Sequence, residues 1–126
     1  MVFLISLLPE GEQARSVCEQ LAELADLAAR GTSEMVKAVT ATTRLPEGKR
    51  IDASFALQSI DAVAELERNA DLAERTALAA FFTNGGGDAK TLVLGIEIAR
   101  TIEHATDCLA HAAHALRDRV LQELSA

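Results

Sequence analysis

Three consecutive glycines, Gly85-Gly86-Gly87, separate two long stretches that contain little else to interrupt a helix. Before them, from about Asp52 to Phe82, apolar residues recur at three- and four-residue steps through Phe55, Ile60, Val63, Leu66, Ala70, Ala73, Ala77 and Phe81. After them, from about Asp88 to Leu124, the same period runs through Leu92, Gly95, Ala99, Ile102, Thr106, Leu109, Ala113, Leu116 and Val120. Such spacing lines one side of a helix. The connector Thr83-Asn84-Gly85-Gly86-Gly87-Asp88 is so short that the two helices must double back as an antiparallel hairpin. Asn84 and the glycines are suited to a left-handed cap on the first helix, and Asp88 to an N-cap on the second.

A third helix precedes these two, from about residue 10 to Thr43. Pro9 marks its start, and Val17, Leu21, Leu24, Ala28, Gly31, Met35 and Val39 form its stripe. The β-branched run Val39-Thr40-Ala41-Thr42-Thr43 weakens its end, and Arg44 to Arg50, with Pro46 and Gly48, reads as a loop. The expectation is one all-α domain spanning residues 1–126, an antiparallel bundle of three long helices resembling a spectrin repeat. Composition agrees. Hydrophobic residues make up 49% of the chain but aromatic residues only 3%, with no Trp or Tyr, so Ala and Leu must fill the core. Closely packed helices suit that composition better than strands do.

The second and third helices carry more apolar surface than one neighbour covers. Leu78, Phe81 and Phe82 crowd one end, Leu57 and Ile60 widen the strip elsewhere, and Phe3 to Leu8 form an apolar leader. The favoured reading is a two-fold homodimer of six helices, and the alternative is a monomer with a loosely covered Ala-rich side. The net charge of −7 argues against a nucleic-acid binder, which would need a basic stripe. No stretch of 18 or more apolar residues is present, so no membrane insertion is expected. The leader lacks the basic start and cleavage site of a signal peptide. Cys18 and Cys108 fall about 12 residues out of step on their helices, roughly 18 Å, too far apart for a disulfide. Reduced cysteines and a cytoplasmic location follow as expectations.

Two short acidic repeats stand out on this frame: Leu66-Glu67-Arg68-Asn69-Ala70-Asp71 and Ile102-Glu103-His104-Ala105-Thr106-Asp107. Carboxylates four apart on a helix share a side. Asp71 lies 15 residues before Gly86 and Glu103 lies 17 after it. The two motifs therefore meet at nearly one height, roughly 25 Å from the turn at about 1.5 Å per residue. Glu67, Asp71 and Glu74 interrupt a strip shared with Ile60 and Leu78, while Glu103 and Asp107 share one with Ile96 and His114. Glu19, Glu23 and Asp26 on the first helix instead lie opposite the apolar stripe, on a solvated face. Carboxylates beside an apolar seam repel one another and lose hydration. A metal ion, a partner's basic groups or raised pKa values relieve that, and so does placement at the bundle edge with Arg68, Arg75 or Arg100 as bridges. The pattern favours neither account.

His104, His111 and His114 follow one side of the third helix with Asp107, and Asp107 with His111 has the i, i+4 spacing of two ligands to one ion. They are equally ordinary on a polar helix face. The Glu-x-x-His pairs of di-iron bundles are missing, as are any phosphate loop, nucleotide fingerprint or Cys/His/Asp triad.

At its paired motifs the chain resembles the PhoU-like superfamily, in particular the branch of phosphate transport regulators, or Pit accessory proteins. The likeness runs from Ala62 to Leu116, through Glu67 and Asp71, Phe81-Phe82, and Glu97-Ile98-Ala99-Arg100-Thr101-Ile102-Glu103-His104-Ala105-Thr106-Asp107. The opening Phe3-Leu4 through Leu8-Pro9 also looks like that branch. The resemblance implies an accessory or regulator of phosphate transport, not an enzyme. It also implies that Glu67, Asp71, Glu103 and Asp107 hold metal ions, with iron and zinc among those the family uses; as oxygen ligands they would equally suit magnesium or manganese. Glu74, Glu97, His111 and His114 are secondary candidates. Family members usually contain two such three-helix repeats and this chain has one, a difference a homodimer would make up. Two other readings differ in class. One is a metal-free helical module that docks a transporter or signalling partner through its acidic edge. The other is a carboxylate-bridged metal oxidase or hydrolase.

Overall fold

The computed structural model describes residues 11–47, 50–84 and 89–125. Among them there are three long helices and no strand: α1 (Glu12–Thr43), α2 (Arg50–Asn84) and α3 (Ala89–Ser125). The expected bounds are met within two residues. The apolar leader, Pro9, the triple glycine and the Asp88 cap lie outside the described residues. No described helix is long and apolar enough to cross a membrane.

The end of α1 holds despite its β-branched run. The Thr40 and Thr42 hydroxyls donate to the carbonyls of Val36 and Ala38, both at 2.7 Å, so their polar atoms are satisfied within the helix, while burial of Ala38 and Ala41 in the core holds the segment in place. The stretch read as an open loop contains a single 3₁₀ turn, Leu45–Glu47, and Leu45 is buried in the core. A buried leucine two residues past the helix ties the corner down.

Each helix packs on both others. Among the described residues, nine of the twenty buried apolar side chains are alanines, so the helix axes can approach closely. The core falls into two clusters. One joins Val17, Leu21 and Leu24 of α1 to Ala77 and Phe81 of α2 and to Ile98, Ala99 and Ile102 of α3. The other joins Ala38 and Ala41 of α1 to Ala53, Ala56, Ile60 and Val63 of α2 and to Ala113 and Val120 of α3. Fully burying a Leu or Ile is worth about 1.5–3 kcal/mol, so Leu24, Ile60, Ile98 and Ile102 carry a large share of the stability. Between the clusters lies a waist of mostly small buried residues: Gly31, Ala70, Thr106 and Ala110, with Leu66.

Some expected core positions are corrected. Phe55 is 51% exposed and Val39 44%, because near the corner the small Ala38, Ala53 and Ala56 take the inward face and turn the bulkier residues out. Ile60 and Phe81, counted both in the inward stripe and in the surplus apolar surface, belong to the stripe, at 1% and 2% exposed, whereas Phe82 is 66% exposed. Gly95 rather than Gly31 marks the tightest approach: a Cβ there would lie 3.1 Å from Val17 and 3.2 Å from Phe81, against 3.4 Å from Leu109 at Gly31.

Candidate functional site

The α2 strip forms as its spacing predicts. Glu67, Asp71 and Glu74 are all partly buried and follow one another by about one turn along α2. On α3, Glu103 and Asp107 are likewise partly buried, one turn apart. The acids of α1 behave differently: Glu19, Glu23 and Asp26 are exposed, with Asp26 3.9 Å from Arg30. The division between solvated and seam-side carboxylates therefore holds.

The two motifs interact most clearly at Glu74, a secondary candidate by sequence. Its carboxyl is pushed above the usual carboxylate range, first by burial and then by the negative charges of Glu103 from α3 and Asp71 from its own helix. Arg100 and Arg75 oppose that shift without cancelling it. Glu74 is thus a carboxylate held against others on a partly dry face, with too little positive charge beside it.

The remaining candidates divide. Asp71 Oδ2 accepts a hydrogen bond from Arg75 at 2.8 Å, so one of the arginine bridges foreseen from sequence is present. Arg68 turns instead to Glu65, at 2.7 Å. Asp107 Oδ2 stands 3.7 Å from His111 Nδ1, as their i, i+4 spacing suggests. His104, His111 and His114 are exposed, as is Glu97. His104 Nε2 lies 3.8 Å from the sulfur of Cys108, and both cysteines are free and exposed.

Among the described residues no three of His, Cys, Asp and Glu converge closely enough to hold one ion. Two of the four primary candidates, Asp71 and Asp107, already face a basic side chain of their own helix. What the strip offers is an elongated band of negative charge across two helices, suited to attract positive groups spread over a comparable length.

Two features escaped sequence reasoning. Arg117 of α3 pairs with Asp61 of α2, a link between helices that neither residue's surroundings in sequence announce. Near the corner, Val36, Lys37, Arg44, Ile51, Asp52 and Phe55 are among the residues that line an open groove of about 410 Å³, and Lys37 is paired with Glu34 at 2.7 Å. The i, i+4 pair Ile51 and Phe55, running beside Ala53 and Ala56, was the available signal, since only one of two adjacent apolar stripes can face inward.

No family model matches the chain, and no curated protein or solved structure matches it either.

Proposed function

We propose that the chain is an accessory or regulatory protein of phosphate transport of the PhoU kind, cytoplasmic and without enzymatic activity. Its unit is an antiparallel three-helix bundle, two copies of which supply the six helices usual in that family. The link to phosphate transport rests on the resemblance of the paired motifs. The antiparallel course is supported by the core clusters, which group the start of α1 with the end of α2 and the start of α3.

The observation that carries the mechanism is Glu74, partly buried, pushed up, and set against Glu103 and Asp71. A face with excess negative charge and reduced hydration gains most from a positively charged surface placed upon it. The strip formed by Glu67, Asp71, Glu74 and Glu103 therefore docks a basic segment of the transporter or of its signalling partner. A synthetic lysine-rich peptide serves as the probe. Binding should weaken steeply as salt is raised, ignore chelator, and fall at least tenfold in a Glu74→Gln, Glu103→Gln double variant. Equal affinity for the wild-type and doubly substituted chains refutes docking at the strip.

The apposition of Glu74 and Glu103 favours a second reading, a hydrated cation instead of a multi-carboxylate cluster. Magnesium commonly binds through one or two carboxylates and retains its waters. Magnesium, manganese, iron or zinc would then raise the melting temperature of the wild type but not of the double variant, and chelator would reverse the gain. Identical melting with and without each metal removes this reading.

A further inference from the structure

His104 and Cys108 form a pair that the acidic strip and its docking role leave unused. They lie four residues apart on α3, so both side chains leave the same side of the helix. Both are exposed, and His104 Nε2 stands 3.8 Å from Cys108 Sγ. Zinc holds a cysteine sulfur at about 2.3 Å and an imidazole nitrogen at about 2.0–2.1 Å. At a tetrahedral angle two such donors lie about 3.6 Å apart, so this pair already stands within about 0.2 Å of the bite of one ion. Because the helix sets the spacing, little side-chain freedom is lost when an ion enters. Glu103 and Asp107, each next in sequence to one member of the pair, add negative charge that draws a cation in.

The pair fills only two of four tetrahedral positions. Among the described residues no third His, Cys, Asp or Glu of the same chain closes on it. The remaining ligands therefore come from outside the chain, and the surrounding surface says which source fits. The exposed residues from Thr101 to Ala115 are one threonine, three histidines, three alanines and the cysteine, and none is Asp, Glu, Lys or Arg. Two chains that each carry a net charge of −7 repel one another. This uncharged stretch of about four turns lets them approach with little repulsion. A two-fold axis through the ion then brings a second His104 and Cys108. The set becomes two sulfurs and two nitrogens, an ordinary donor set of structural zinc.

We propose that His104 and Cys108 are half of a zinc-class site that a second copy of the chain completes, one ion bridging two α3 helices. Each thiol yields its proton to solvent as the sulfur binds, so assembly tightens as pH rises. This rests on the two-copy reading above and gives it a contact, while the acidic strip takes no part in the ligation.

The test uses the full chain, kept reduced with a phosphine, either metal-free or with cobalt or zinc. Cobalt should give a sulfur-to-metal charge-transfer band and the strong visible bands of a tetrahedral ion, saturating at one ion for two chains. Sedimentation at micromolar concentration should move from near 13.4 kDa without metal to twice that mass with zinc, and chelator should reverse the change. Cys108→Ser and His104→Ala should each abolish the band and weaken zinc-linked dimerisation about tenfold or more. Both positions are exposed, so circular dichroism should show the helices intact in these variants. Cys18→Ser and Glu74→Gln should change neither readout. Saturation at one ion per chain, or a band that survives Cys108→Ser, overturns the site. Dimers that persist unchanged in chelator overturn the bridge and leave the two-copy reading standing. A chain that stays at 13.4 kDa with and without zinc overturns both.

Discussion

Gly95 and Gly31 are both buried glycines within long helices, yet replacing them with alanine should have opposite effects. Alanine is favoured over glycine in a helix by about 1 kcal/mol. At Gly31 the added methyl meets only Leu109 at 3.4 Å, an ordinary contact, so the gain survives and Gly31→Ala should stabilise by up to about 1 kcal/mol. At Gly95 it would press on Val17 and Phe81, themselves 3% and 2% exposed and unable to move aside. Overpacking there costs about 1–3 kcal/mol, so Gly95→Ala should be net destabilising by about 1 kcal/mol. Thermal unfolding of the two variants side by side checks the pair, and a stabilising Gly95→Ala would show the α1–α2–α3 contact to be looser than drawn. Glu74 gives a prediction in pH. Its folded-state pKa lies above its ordinary value, so the folded chain holds this proton more firmly than the unfolded chain does. The associated stability is complete below the ordinary carboxyl range and is lost as pH rises through the raised value. Glu74→Gln should therefore melt higher than wild type at pH 7, with the gap closing toward pH 4. A gap that is constant with pH would mean that Glu74 titrates normally.

The helices themselves were largely legible, because three apolar stripes with a 3.6-residue period and few breakers admit little else. Less legible was which of two adjacent stripes faces inward. Near the corner, the choice between Phe55 with Val39 and the smaller Ala38, Ala53 and Ala56 depends on how closely α1 and α2 approach, which one helix's periodicity does not record. The burial of Leu45 in a 3₁₀ turn was hidden for the same reason, since Pro46 and Gly48 signal a turn but not what it packs against. The acidic strip was legible as a strip, and the contrast with the solvated acids of α1 held. Its focus was not. Counting residues from the glycines set Asp71 opposite Glu103, whereas the charge of Glu103 bears on Glu74, one turn nearer the connection. A count along the chain fixes height only to about a turn, because helix entry and exit angles are not encoded in spacing.

For the whole molecule, the acidic strip and the corner groove give the surface two regions of opposite character. The strip lies beside the waist, negatively charged and partly dry, while the groove lies at one end, apolar with the mixed charges of Lys37, Arg44 and Asp52 around it. Neither region needs the other to be filled. The link between Arg117 and Asp61 contributes little to either region. Exposed ion pairs are typically worth under about 1 kcal/mol, and its use is to set α3 against α2 near the end away from the strip.

The waist of small residues between the two core clusters also bears on how the molecule opens. Gly31, Ala70, Thr106 and Ala110 have smaller side chains to bury than the leucines and isoleucines on either side, so cooperativity between the two ends passes through a weak joint. Amide hydrogen exchange should then resolve two protected blocks, one around Leu24, Phe81 and Ile98 and the other around Ile60, Val63 and Val120. Their opening free energies should differ, and exchange should be faster at the waist. A single protection plateau along the whole of α3 would show that the helices unzip as one unit. With two blocks, an event at the acidic strip can loosen one end of the protein while the other keeps its shape.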